Sequence, residues 1–252
     1  MAWVAPTLLW VSRENWLWIT PIALSINALL MTYDWLLSFA PVDSRPLEGQ
    51  DAWGLLKDLH QASEGLALRP PKVMLVQSSS AQIFAYGRSS RSVRLFVSEG
   101  FLKLLSPAER QAVLLYQLLA IQRNYPVLNY WLAVTVDLIY RLGLQVERVF
   151  AFVFGWNAKI AHFLAAPFML LAQHLLLSPA DFARLDHDTK NMIGNPDDLA
   201  RALWKLSSYA RTQPWTDPWA LAHMCIVSPI DWWPIQPQLN TRIMALVGRY
   251  PL

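Results

Sequence analysis

Cysteine is nearly absent: Cys225 is alone in a chain of 252 residues, which excludes an internal disulfide and a cysteine-based zinc site. Histidine is also sparse. The five are His60, His162, His174, His187 and His223, and none stands three or four residues from another, the spacing at which a helix aims two imidazoles at one metal. Asp186-His187-Asp188 are adjacent, but successive helix residues point to different faces, so they read as solvated helix. Charged residues make up only 15% of the chain, the formal net charge is +3, and Lys and Arg are scattered, which carries no nucleic-acid signal. The exception is Arg88, Arg91 and Arg94 on one loop-and-strand segment. The sequence also lacks a Ser-His-Asp arrangement, a phosphate-cradling glycine loop and a dinucleotide fingerprint.

What is abundant is apolar. Hydrophobic residues make up 54% of the chain, with 13 Trp and 17 Pro, and this composition points to a membrane protein, with a large soluble core as the alternative. Trp16–Ala40 approaches the ~20 residues of a spanning helix, with Trp16, Trp18 and Trp35 near its ends. It is expected to be retained, because no basic region precedes it and no small-x-small site closes it. Tyr125–Leu142 and Val149–Leu177 read as two further apolar helices separated by Gly143–Arg148, and membrane insertion is expected for them. Asp34, Asp137 and Lys159 would then need protein neighbours. Residues 42–125 carry ten Lys and Arg, whereas the stub before Trp16 has only Arg13, so the polar lobe is expected on the cytoplasmic side.

Ser106–Asn124 is the clearest helix. Ser106 and Glu109 form a capping box with Pro107 at the first helical position, and Val113, Leu114, Leu115, Leu118, Leu119 and Ile121 form its stripe, with Gln111, Gln117 and Arg123 off it. Ahead of it, Trp53–Ala67 reads as an amphipathic helix, and Lys72–Gln77, Ala81–Gly87 and Arg94–Ser98 read as strands.

The stretch from Pro71 to Leu115 resembles the approach to the zinc helix in the HtpX and CAAX-prenyl-protease family of membrane zinc metallopeptidases. Gln82-Ile83-Phe84-Ala85-Tyr86-Gly87 lies over that family's NAFA-x-G rim segment, with Phe84, Ala85 and Gly87 matching. In register, the first ligand His falls on Tyr116, the catalytic Glu on Gln117 and the second His on Ala120. Asp181–Leu206 resembles the family's later helix pair, anchored on Gly194-Asn195-Pro196 and Ala202–Leu206. This places the third ligand at Phe182 and keeps Asp186. Trp233–Pro237 with Arg242 resembles the closing segment, with Gln236 in place of its His and Arg242 kept.

The resemblance implies an α+β, mostly α fold, in which a zincin-like lobe packs a small mixed sheet on the former zinc helix and hydrophobic membrane helices are attached. The expected divisions are an anchor at 1–41, the first half of the lobe at 42–124, a hydrophobic hairpin at 125–177 and the second half of the lobe at 178–252. Tyr cannot serve as a zinc ligand at neutral pH as His does, Gln cannot take a proton from water, and Ala and Phe carry no donor. The leading expectation is therefore a chain that is not an enzyme. It would bind neither metal nor cofactor and would act as a binding or structural subunit of a membrane complex, in a bacterial inner membrane. Its expected partners are other membrane subunits and an extended peptide at the rim, with no nucleic acid. The alternatives are an endopeptidase using other ligands and a soluble regulator that is not a peptidase.

Overall fold

The computed structural model describes residue 25 and residues 44–48, 51–154, 179–212, 225–227 and 237–248. The chain forms two compact units, Met1–Ala40 and Pro41–Leu252. Within the second unit four strands, β1 (Ser44–Pro46), β2 (Lys72–Val76), β3 (Ile83–Tyr86) and β4 (Arg94–Ser98), form a mixed sheet in the order β1-β2-β4-β3. The central pair β2 and β4 runs parallel, with Lys72 beside Arg94 and Val76 beside Ser98. The outer strands are antiparallel to their neighbours, β1 to β2 and β3 to β4.

The helices are α1 (Leu55–Gly65), α2 (Glu99–Leu104), α3 (Pro107–Gln122), α4 (Tyr125–Phe154), α5 (Pro179–Met192), α6 (Pro196–Thr212) and α7 (Leu239–Val247). A mostly helical chain with one small mixed sheet is what the sequence led us to expect. At the centre is α3, which packs against α1, α4, α5, α6 and β3. A helix with so many neighbours must be apolar nearly all round, and eleven of its residues are buried, Val113, Leu114 and Leu118 completely. Its start is fixed by the capping box: Ser106 Oγ accepts from Glu109 N–H, and Ser106 N–H donates to the Glu109 carboxylate at 2.8 Å. The same carboxylate takes Lys205 from α6 at 2.8 Å, so a local cap also ties two helices together.

Two expected features change. Gln117, placed off the apolar stripe, is 4% exposed, because α3 has no solvent face at that point. Gly143–Arg148 is no break: α4 runs 30 residues through it, since one glycine costs a helix only about 1 kcal/mol and no proline follows. With Asp137, Arg141, Glu147 and Arg148 along α4, no helix among the described residues is long and apolar enough to cross a membrane. Trp16–Ala40, apart from Ser25, and most of Val149–Leu177 lie outside the described residues. Three elements, β1, α2 and α7, were not expected. The start of α2 explains Gly100, because a Cβ there would stand 2.1 Å from the Ser79 carbonyl oxygen.

Candidate functional site

The site lies where α3, α5, α7 and β3 meet. β3 is held in register by Ser98, whose Oγ accepts from Gln82 N–H at 2.8 Å and donates to Gln82 O, while Ser98 N–H also reaches Gln82 O. In an antiparallel pair, alternate residues aim their peptide groups at the partner strand. Gln82 faces β4, so Ile83 and Ala85 turn theirs outward. Gln117 confirms this by donating its Nε2 to Ile83 O at 3.4 Å. β3 is the sheet's edge by strand order, yet its four residues are between 0% and 6% exposed, because α3 and α4 pack over it. Gln82 and Gly87 are buried as well. Phe84 stacks on Phe96 at 5.1 Å, and Gly87 leaves no room for a side chain against the Val93 backbone.

Beneath the outward side of Ala85 is a cavity of about 40 Å³, lined among others by Tyr116, Gln117, Ala120, Phe182 and Cys225. The structure thus brings together four of the five positions read from the sequence, and from helices far apart in the chain. The fifth, Gln236, lies outside the described residues. Phe182 is half-buried at the cavity wall, and beside it Asp181 accepts from the Tyr125 hydroxyl at 3.1 Å.

Behind the cavity, Arg242 on α7 and Asp186 on α5 form a buried pair, 3% and 2% exposed. Its Nε and one terminal nitrogen each donate to the carboxylate at 2.8 Å, and the other terminal nitrogen donates to Ile226 O at 2.7 Å. The guanidinium also approaches the Tyr116 hydroxyl at 3.4 Å and lies 5.7 Å from its ring centre. Burial alone would lower the pKa of Arg242, but the Asp186 charge outweighs it and holds the guanidinium ionised well above its ordinary range. Burial pushes the Tyr116 phenol and the Cys225 thiol upward, so both stay neutral. The sequence marked Asp186 and Arg242 only as kept framework and gave no sign that they meet at Tyr116, because a contact between α3, α5 and α7 is set by tertiary packing.

Gly194, Asn195 and Pro196 make the turn from α5 to α6. The Asn195 side chain accepts from Asp197 N–H, and Pro196 takes the first helical position, where no N–H is needed.

The donor set around the cavity does not fit a zinc ion. It offers a neutral phenol already facing a fixed guanidinium, an amide bound to Ile83, two side chains without a donor, a Cys225 thiol that burial keeps protonated and the Asp181 carboxylate that accepts from Tyr125, too few ligands for the three or four that zinc takes from protein. Among the described residues no group of three or more His, Cys, Asp or Glu could hold a metal.

A mostly helical lobe packed around a small mixed sheet has a counterpart among solved structures. No family model matches the chain. It is 26% identical over 220 residues to the Protease HtpX homolog of Pelotomaculum thermopropionicum, covering 83% of this chain and 78% of that one. To the Protease HtpX homolog of Syntrophobacter fumaroxidans it is 25% identical over 201 residues, 75% of this chain and 71% of the relative. To that of a Sulfurovum species it is 28% identical over 198 residues, 75% and 70%. The crystal structure of S. mikatae Ste24p shares the fold with a TM-score of 0.54 at 18% identity, over 92% of this chain and 58% of the other. The chain is thus similar to the HtpX-like proteases over most of its length, as the residues around Phe84–Gly87 and Gly194–Pro196 led us to expect. The expectation that it is not an enzyme is corrected by the same finding: the curated relatives are named proteases, which points to a peptidase.

Proposed function

We propose that this chain acts on polypeptide as an endopeptidase of the HtpX-like kind, and that an extended segment of substrate lies along β3. The similarity to proteases over 70% or more of their length supports this. The observation that carries it is the outward peptide group of Ala85 over the cavity: a sheet edge gives an extended chain main-chain hydrogen bonds without regard to its sequence. Burial of β3 means that substrate enters only as the packing over it, α4 above all, moves aside. Tyr116, Gln117, Ala120 and Phe182 shape the floor and supply neither metal ligands nor a base. The groups that cut are therefore drawn from elsewhere, and His162, His174 and His223 stand in segments outside the described residues. Attachment to a membrane, with the lobe on the cytoplasmic side and other membrane subunits as neighbours, belongs to this reading. It is supported by the apolar composition.

The test incubates the purified full-length chain, in mild detergent, with casein. Fragments that appear with the wild-type chain, and far fewer with Ile83→Pro, which removes an outward N–H, support the proposal. Intact casein under every metal tested would overturn the peptidase reading.

A further inference from the structure

One end of the sheet carries an uninterrupted run of positive charge. From residue 65 to residue 98 the chain holds Arg69, Lys72, Arg88, Arg91 and Arg94 and no Asp or Glu. The register gathers them. Lys72 pairs with Arg94 across β2 and β4, Arg94 pairs with Tyr86 across β4 and β3, and Arg88 and Arg91 lie in the loop that joins those last two strands. All five are exposed. Among the described residues, Arg69, Lys72, Arg91 and Arg94 make no ion pair within 4.0 Å. Among the described residues, Glu48 follows Leu47, whose N–H donates to Val73 O at 3.0 Å, so a carboxylate stands near this end.

The loop is built to hold this charge in one place. Ser92 N–H donates to Ser89 O at 2.9 Å, Ser89 N–H donates to Ser92 Oγ at 3.0 Å, and Ser90 Oγ donates to Asn124 in the turn before α4. Arg88 Nε donates to the Tyr130 hydroxyl at 3.2 Å, and the Tyr130 ring is packed edge-on against Trp131 at 5.3 Å. Arg88 and the Ser89–Ser92 loop therefore stand beside the root of α4, next to an aromatic pair. Farther along the same helix Val146 is 48% exposed and Phe152 is 92% exposed.

We propose that this end of the sheet is a docking surface for the anionic headgroups of a lipid bilayer, with the root of α4 at the interface. Arg69, Lys72, Arg91 and Arg94, exposed and without a carboxylate within 4.0 Å, match a phosphate-rich plane, and the half-buried Trp131 at the root of α4 is of the type that favours the layer between headgroup and hydrocarbon. A nucleic acid would want exposed rings on which to stack, and Tyr130 is 2% exposed. The proposal rests on the membrane attachment proposed above, not on peptidase activity.

The experiment reconstitutes the full-length chain in phosphatidylcholine nanodiscs that carry a small share of spin-labelled phosphatidylglycerol or spin-labelled phosphatidylcholine. The wild-type chain is expected to immobilise the phosphatidylglycerol about fivefold more strongly, the order expected from one or more surface cations. The preference should fall toward equality in the triple variant Lys72→Gln, Arg91→Gln, Arg94→Gln and in about 0.5 M NaCl. It should persist in Lys57→Gln, an exposed cation on α1 away from this end. Equal immobilisation of the two lipids by the wild type, or an unchanged preference in the triple variant, overturns the proposal. So does tighter binding of a single-stranded RNA that the same substitutions abolish. A chain that fails to enter the nanodiscs overturns both this proposal and the membrane attachment, while casein cleavage remains a separate readout.

Discussion

Removing the carboxylate of Asp186 tests how the centre of the lobe is held. Asp186→Ala takes from the Arg242 guanidinium its counter-ion and both 2.8 Å charge-assisted bonds, in a place where water does not reach. Breaking a buried pair from one side costs about 3–5 kcal/mol, because the remaining charge is stranded. In a chain of this size, about 1 kcal/mol moves the melting temperature by roughly 2–4 °C, so the shift should be on the order of 6–20 °C. The double variant Asp186→Leu, Arg242→Met removes both charges and should recover much of the loss, since apolar replacements of a buried pair are often close to neutral. Urea unfolding of the wild type, both single variants and the double variant gives the coupling between the two residues directly. A loss below about 1 kcal/mol in Asp186→Ala would refute the reasoning, because it would mean that the guanidinium is solvated.

Gln117→Ala leaves Ile83 O without its donor inside the core, and a urea titration should show a loss of about 1–3 kcal/mol. Gly100→Ala forces a methyl group onto the Ser79 carbonyl, a backbone atom that cannot swing away, and should cost more than about 4 kcal/mol or leave little folded protein in a thermal scan. Burial would raise the Glu109 pKa, but Lys205 and the bonds at Ser106 lower it further, so the group sits below the ordinary carboxylate range when folded. Its stabilisation is present above the unfolded pKa and is lost as pH falls through the folded one. Stability measured from pH about 5 downward should therefore fall less steeply in Glu109→Gln than in the wild type.

The elements most legible in the sequence were those specified locally. Ser106, Pro107 and Glu109 announce α3 by themselves, and Arg94–Ser98 has the bounds of β4. Lys72–Gln77 and Ala81–Gly87 run one to two residues past β2 and β3, because pairing with β4 decides where a strand stops. β1 is three residues long and exists only by pairing with β2, so no pattern of its own marks it. α4 was read as two helices because Gly143 and the charges after it resemble a loop, and only continuous backbone bonding shows otherwise. The cavity positions came from likeness to a family, and the structure gathers Tyr116, Gln117, Ala120 and Phe182 around one space. That likeness led the functional reading astray: four absent groups suggested a protein that is not an enzyme, whereas relatives named as proteases point to a peptidase.

The central claim is that polypeptide lies along β3, and amide hydrogen exchange of the full-length chain tests it most directly. With a saturating casein-derived peptide bound, the Ala85 amide should exchange more slowly than without it, while amides away from β3, such as those of Lys57 and Arg91, stay unchanged. Identical exchange at Ala85 with and without bound peptide would contradict the account.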